Sequence, residues 1–287
     1  MTIFLNGKYL PKAEAKISVD DRGFLFGDGV YEVTRVVRGK LFEEERHWTR
    51  LRNGLRDLAI SARWIDKGRI REIYERLILD NGLQDEDATV YLQITRGAAP
   101  RAHAFPNPTP EPTVYAFANR FTIPADLRRD GVSVITHPDI RWARCDIKTV
   151  NLLPNAMAKQ RAVEAGAWEA VLVRDGVITE GALTSVFGVL DGELRTYPKS
   201  NYILPGVTRD AVLDLAKDLG IPLRETPIFA DQLGQLEELF LTGTTSDVQP
   251  IVRVDGRPVG DGVPGRITRA LQQALMERLD LEMFATT

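Results

Sequence analysis

The stretch RCDIKTVNLLPN sets Lys148 among Cys145, Ile147, Val150, Leu152 and Leu153. Lysines are rarely buried, and a solvated surface position is the common fate of this residue type. An apolar setting disfavours the ammonium form, however, and frees the amine as a nucleophile able to condense with a carbonyl. Glu180, in VITEGALTSVFGV, follows a strand and precedes Gly181, where the backbone is able to approach a ligand closely. A carboxylate there is either a solvated strand end or the partner of a protonated ring nitrogen.

Other spacings favour anions. LPGVTRDAVLDLA places Gly206, Val207 and Thr208 at the start of a helix. Free N–H groups and the helix dipole make such an end a ready phosphate site, the plain alternative being Thr208 as an N-cap. LTGTTSD adds the hydroxyls of Thr244, Thr245 and Ser246 in a small-residue loop, a composition that usually just turns the chain. Arg50 falls ~120° from the centre of its helix's apolar stripe, so solvent is its default surrounding. His47 sits nearer the stripe edge. Arg101 and His103 lie two apart in a proline-rich loop and point the same way if that loop is extended. A guanidinium beside an imidazole is a good carboxylate receptor, unless the loop is simply solvated.

The elements that must hold these residues follow from periodicity. Asn6-Gly7 between two short apolar stretches predicts a hairpin, because both residues tolerate positive φ. Tyr31, Val33, Arg35 and Val37 alternate with Glu32, Thr34 and Val36 as in a strand. Trp48, Leu51, Leu55 and Leu58 form one stripe of a helix over 43–59. A second helix fits 64–81, and strands fit 89–95 and 113–119. The five prolines of residues 98–112 exclude regular structure, and a loop of that length in a compact chain is usually functional or disordered. Residues 119–130 read as a linker. Beyond them, Asp175-Gly176, Asp191-Gly192 and Asp255-Gly256 repeat the hairpin signal, and helices fit 152–166, 208–219 and 264–279. Strands and helices mix without strict alternation, which points away from a Rossmann sheet or a TIM barrel.

The 287 residues suggest two domains. With 37 basic against 40 acidic residues the net charge is −3, which offers nucleic acid no basic field. No uncharged apolar run approaches the ~18–20 residues of a membrane helix, and the N-terminus lacks the apolar core of a signal peptide. A single cysteine excludes an internal disulfide, and three histidines without ligand spacing argue against zinc. The expectation is a cytoplasmic, metal-free protein.

Taken in order, GDGVYEVTRVVRGKLFEEERHWTRL, TRGAAPRAH, DIKTVNLLPNAMAKQ, ITEGALTSVFGV, ILPGVTRDAV and LFLTGTTSDVQP resemble the D-amino-acid transaminases. That family belongs, with the branched-chain aminotransferases and aminodeoxychorismate lyase, to the fold-type IV enzymes that use pyridoxal 5'-phosphate (PLP). The resemblance runs from about Ile3 to Leu279. It implies an α+β, two-domain fold, with a small α/β N-terminal domain (1–120) and a larger, β-rich, barrel-like PLP-binding domain (121–287). It also implies roles. Lys148 would hold PLP as a Schiff base, Glu180 would pair with the pyridine nitrogen, and Arg50 would bind the phosphate. Backbone amides of Val207 and Thr208 and the hydroxyl of Thr244 would complete the phosphate cup, with Leu204 packed on the ring. Tyr31, Arg101 and His103 would hold the substrate carboxylate.

Two departures from the family pattern stand out: Ala182 and Leu183 replace small polar residues after T-E-G, and Gly243 replaces a serine. The resemblance implies a homodimer that transaminates D-amino acids, D-alanine or D-glutamate among them, with a 2-oxo acid acceptor. A branched-chain L-aminotransferase, a lyase that releases pyruvate without an amino acceptor, and a non-enzymatic anion-binding module remain the alternatives.

Overall fold

Among the described residues four hairpin turns pair an Asn or Asp with a following Gly, both at positive φ: Asn6-Gly7, Asp175-Gly176, Asp191-Gly192 and Asp255-Gly256. This backbone matches the right-handed twist of paired strands, so each turn closes a hairpin. The computed structural model describes residues 1–62 and 64–284, with side chains through Leu279. By its internal contacts the chain divides into two units, Met1–Thr122 with Ile147–Asn151, and Ile123–Asp146 with Leu152–Thr287.

In the first unit the elements are β1 (Thr2–Leu5), β2 (Lys8–Pro11), α1 (Arg22–Phe26), β3 (Gly29–Val37) and β4 (Lys40–Leu41). They continue with α2 (Glu44–Asp57), α3 (Lys67–Asp80), β5 (Ala88–Thr95) and β6 (Thr113–Arg120). Six antiparallel strands run β2-β1-β6-β5-β3-β4. One face of the sheet supplies Phe4, Val30, Val90, Leu92, Ile94, Val114 and Ala116 to a core shared with Leu51 and Leu55 of α2 and Ile73 and Leu77 of α3. The predicted α2 stripe is therefore the packing face, with Trp48 and Leu58 at its margin. Asp66 caps α3 by accepting from the Arg69 N–H at 2.8 Å. The opposite face of the sheet carries an aromatic ladder in which Tyr31 stacks on Tyr91 at 5.7 Å and Tyr91 on Phe117 at 5.1 Å.

Residues 147–151, which sequence alone assigns to the second half of the chain, pack with this first unit. Ile147 enters its core. The segment lies beside the start of β3, with the Tyr31 N–H donating to the Lys148 carbonyl at 3.0 Å and the Val150 N–H to that of Gly29 at 3.1 Å.

The second unit begins with α4 (Ala125–Asp130), a short helix inside the stretch read as a linker, then β7 (Val132–Pro138) and α5 (Leu153–Glu164). Next come β8 (Glu169–Arg174), β9 (Val177–Gly181), β10 (Ser185–Leu190), β11 (Glu193–Thr196), α6 (Val207–Asp218), β12 (Leu223–Glu225) and β13 (Ile228–Phe229). The unit ends with β14 (Glu238–Gly243), β15 (Asp247–Val254), β16 (Arg257–Pro258) and α7 (Arg266–Phe284). Ten strands form one mixed sheet, β12-β11-β10-β14-β15-β7-β8-β9-β13, with β16 hydrogen-bonded to β15. Strand pairs β11/β12, β15/β7 and β7/β8 are parallel. The architecture is α+β with two domains, as expected. No helix among the described residues is long and apolar enough to cross a membrane.

Gly97 opens the proline-rich loop at φ +93°, and a Cβ there would lie 2.0 Å from the Glu111 carbonyl oxygen. Both strain and a backbone clash therefore oppose a side chain. Gly97→Ala is expected to cost about 2–4 kcal/mol in urea unfolding. Gly176→Ala, with positive φ but open space around the site, should cost only about 1 kcal/mol. Equal losses for the two variants would show that the close approach to Glu111 is not what fixes the loop.

Candidate active site

In the first unit, Lys148 and Tyr31 come together. The backbone bond that joins them puts the Lys148 Nζ 4.1 Å from the centroid of the Tyr31 ring. Lys148 is half-buried. Of its sequence neighbours Cys145 and Ile147 are buried, whereas Leu153 is exposed. Burial pushes the Cys145 thiol up to about 11, which keeps it protonated and inert.

Arg50 is not solvated as its helical position suggested. Its side chain is 9% exposed and forms a two-pronged ion pair with Glu32, Nε to Oε1 and Nη2 to Oε2, each at 2.8 Å. His47 Nδ1 lies 2.8 Å from the second Glu32 oxygen. Burial alone would raise the Glu32 carboxyl, but the Arg50 charge and hydrogen bonds from Arg50 and His47 hold it down at about 2. Burial lowers His47 despite Glu32 beside it. A neutral imidazole facing an ionised, acceptor-only carboxylate carries its proton on Nδ1, a tautomer assigned from the hydrogen-bond pattern.

Arg101 and His103 are both exposed, and both face one ring. The Arg101 guanidinium lies 5.3 Å from the Phe26 centroid and the His103 ring 5.7 Å from it.

In the second unit, Glu180 lies within β9 rather than after it, and it is buried. Its carboxylate pairs with Arg141 and accepts from the Leu204 N–H at 3.1 and 3.2 Å. Burial pushes this carboxyl up, Arg141 and the Leu204 N–H pull it back, and it stays raised. Arg141 is itself held by Asp139, with Nε to Oδ1 at 2.9 Å and Nη2 to Oδ2 at 2.8 Å. Asp139 also accepts from the Thr179 hydroxyl at 2.9 Å and pairs with Arg174 at 3.1 Å, and it is held down at about 2.

The start of α6 is capped by Gly206, not Thr208, with no side-chain cap. Val207 and Thr208 are its first two helical residues, so their N–H groups precede any intrahelical partner. A Cβ on Gly206 would stand 2.8 Å from the Ser185 hydroxyl. Ser185 pairs with Thr242 across the sheet, next to Gly243 and the turn holding Thr244. Three buried hydroxyls of this region, on Thr184, Thr242 and Ser246, have no hydrogen-bond partner. Buried polar groups are nearly always satisfied. Uncapped N–H groups and unsatisfied hydroxyls around glycines fit a phosphate, with its many acceptor oxygens. Gly243 suits this crowding, because a Cβ there would lie 2.8 Å from the Ser246 hydroxyl. Ala182 is buried while Leu183 is 60% exposed.

With this geometry in hand, the matches to known proteins are informative. Residues 29–254 match the family of class IV amino-transferases. The chain belongs to that family. It is 39% identical over 278 residues to D-alanine aminotransferase of Staphylococcus aureus, covering 97% of this chain and 98% of that one. It is equally similar, over 280 residues, to the D-alanine aminotransferase of Bacillus licheniformis, with 97% of each chain covered. Among solved structures, the branched-chain amino acid aminotransferase of Escherichia coli superposes with a TM-score of 0.88 at 26% identity, over 96% of this chain and 93% of that one. The T.th. branched-chain amino acid aminotransferase, solved with pyridoxamine 5'-phosphate, gives 0.87 at 28% identity, over 97% and 93%.

Sequence reasoning passed over Glu32, Phe26, Asp139 and Arg141. A signal existed for Glu32. It shares the strand face of Val30 and Val36, and a charge at an inward strand position demands partners. Arg141 carried no comparable pattern.

In this class IV aminotransferase the Glu32 carboxyl is depressed, from about 4.5 when unfolded to about 2 when folded. Its contribution is therefore complete above pH 4.5 and is lost as the pH falls towards 2. That contribution is on the order of 3 kcal/mol. Glu32→Gln should be less stable at pH 7 by a similar amount and should lose less on acidification. Parallel stability curves for parent and variant between pH 5 and 2.5 would contradict the assignment.

Proposed function

We propose that the protein transaminates D-amino acids, D-alanine and D-glutamate among them, with a 2-oxo acid as acceptor and PLP as cofactor. The near-full-length 39% identity to D-alanine aminotransferases carries this reading. The nearby branched-chain structures favour a second one, transamination of L-leucine, L-isoleucine or L-valine.

When bound, PLP supplies an electron-accepting ring that makes the substrate Cα proton removable. The protein's own groups do the rest. Lys148 would hold the cofactor through its amine, and the same amine would move the proton at the substrate Cα. Tyr31 limits the directions open to that amine, because backbone and ring both hold the lysine. Glu180 would pair with the pyridine nitrogen, and Arg141 and the Leu204 N–H counter the burial that disfavours its ionised form. Arg50, its orientation set by Glu32, would bind the phosphate. The amides of Val207 and Thr208 and the Thr244 hydroxyl would hold the phosphate, and Leu204 would pack on the ring. Tyr31, Arg101 and His103 bind the substrate carboxylate.

Two finer statements belong to the same proposal. The protein acts as a homodimer, a reading supported by the large exposed apolar residues Ile17, Val19 and Phe24 within eight positions of the chain. It works in the cytoplasm, where its lone cysteine stays a thiol.

Lys148→Ala should lose nearly all turnover, and borohydride reduction of the parent should fix the pyridoxyl group on the peptide containing Lys148. A label on any other lysine sinks that assignment. The handedness follows from where the carboxylate is held. The face of the substrate that Lys148 addresses is fixed, so the side occupied by the carboxylate selects D or L. A panel of D- and L-amino acids with 2-oxoglutarate should show D-alanine or D-glutamate fastest, and Arg101→Ala should raise KM about tenfold or more. Faster turnover of L-leucine, with Arg101→Ala neutral, would favour the branched-chain reading instead.

A further inference from the structure

The loop that carries Arg101 and His103 lacks regular structure, yet its start is tied down by buried charge. Arg22, at the head of α1, is buried. Its Nε donates to Asp28 at 2.8 Å and its Nη1 to the Ala102 carbonyl at 2.6 Å, the residue between Arg101 and His103. Arg96, also buried, grips the same Asp28 carboxylate at 2.7 and 3.0 Å and the carbonyls of Leu58 and Ala59 at 2.6 and 3.0 Å. Its guanidinium lies 3.6 Å from the Phe105 ring centroid, so a residue further along the loop is held as well.

Phe26 closes this arrangement. It is the last residue of α1, and Gly27 ends that helix at φ 67°. The Arg22 guanidinium lies 4.6 Å from the ring centroid, the Arg101 guanidinium 5.3 Å and the His103 ring 5.7 Å. All three lie within the distances at which cation–π and aromatic contacts attract. Side chains this long lose substantial rotamer entropy when fixed. An exposed arginine and histidine on a loop without secondary structure would otherwise pay that cost each time they met a ligand.

We propose that Phe26 is a positioning residue that presets Arg101 and His103 for the substrate carboxylate, with Arg22 fixing the backbone between them. This rests on the reading that Arg101 and His103 bind that carboxylate. Amino donor and 2-oxo acceptor both carry an α-carboxylate, so the effect applies to both half-reactions. The contacts are made before substrate arrives, so they act on binding and leave the proton transfer at Lys148 alone.

The test is a mutant cycle on the holoenzyme, reading KM and kcat for D-alanine and KM for 2-oxoglutarate. Phe26→Leu keeps apolar bulk but loses the flat ring. It should raise both KM values about three- to tenfold, a range set by cation–π strength, with kcat within about twofold. Phe26→Tyr keeps the ring face and should stay close to the parent. In an Arg101→Ala/His103→Ala background, already high in KM, Phe26→Leu should add nothing. Thermal unfolding midpoints for all variants separate loss of fold from loss of positioning. An unchanged KM in Phe26→Leu, or an equal rise in both backgrounds, overturns the positioning role and leaves the carboxylate reading standing. If the Arg101→Ala/His103→Ala variant keeps the parent's KM, the carboxylate reading itself falls, and the role of Phe26 falls with it.

Discussion

Successive residues of a strand point to opposite faces, and in β3 that single geometric fact is put to two uses. Tyr31 turns to the aromatic face and meets the Lys148 amine, while Glu32 turns to the helical face and meets His47 and Arg50. The backbone from Gly29 to Tyr31 also pairs with residues 147–151. A one-residue slip in the register of β3 against β5 would exchange the two faces. It would bury the tyrosine hydroxyl among aliphatic side chains and expose the ion pair that orients Arg50. The long antiparallel pairing of β3 with β5, continuous from Gly29 to Val36, makes that slip costly.

Buried charge is the second recurring theme, and it is handled by sharing. Glu32 serves His47 and Arg50, Asp28 serves Arg22 and Arg96, and Asp139 serves Arg141 and Arg174. Isolated pairs of this kind rarely stabilise a protein relative to apolar packing, because desolvation offsets the attraction. What they give is orientation, since a planar guanidinium gripped at two points has little freedom left. Arg50 is itself a candidate phosphate ligand, Arg141 pairs with Glu180, and Arg22 holds the backbone between Arg101 and His103. The cost of burying them falls where orientation matters most.

Much of this organisation was legible in the sequence. The four Asn/Asp-Gly turns, the strand at Tyr31, the helices bearing Arg50 and Val207, and the break at the five prolines all follow from local backbone preferences. Such preferences act within a few residues. Pairings across long separations leave no local trace, and those were missed: Glu180 with Arg141 is 39 positions apart and Arg96 with Asp28 is 68. Arg50 shows the same limit from the other side. Helical periodicity placed it towards solvent, but a charged residue on the neighbouring strand drew it in. The packing of residues 147–151 with the first unit was equally hidden, because nothing in their composition marks the exchange.

Fold and reaction handedness have different origins in this chain. Branched-chain enzymes share the backbone closely, so the scaffold by itself cannot decide between D- and L-amino acids. The proposed roles of Lys148 and Glu180 would serve either hand, because the chemistry at Cα is the same for both. What differs between the two outcomes is the side from which the carboxylate would be held, and of the three proposed carboxylate ligands Tyr31 stands on the sheet while Arg101 and His103 do not. Arg101 and His103 stand on a segment with no hydrogen-bonded ladder of its own. Its rigidity is borrowed from Asp28, Arg22, Arg96 and the ring of Phe26. A loop fixed by side-chain contacts is free to change sequence and reach without disturbing either sheet. That separation allows one architecture to support both stereochemical preferences.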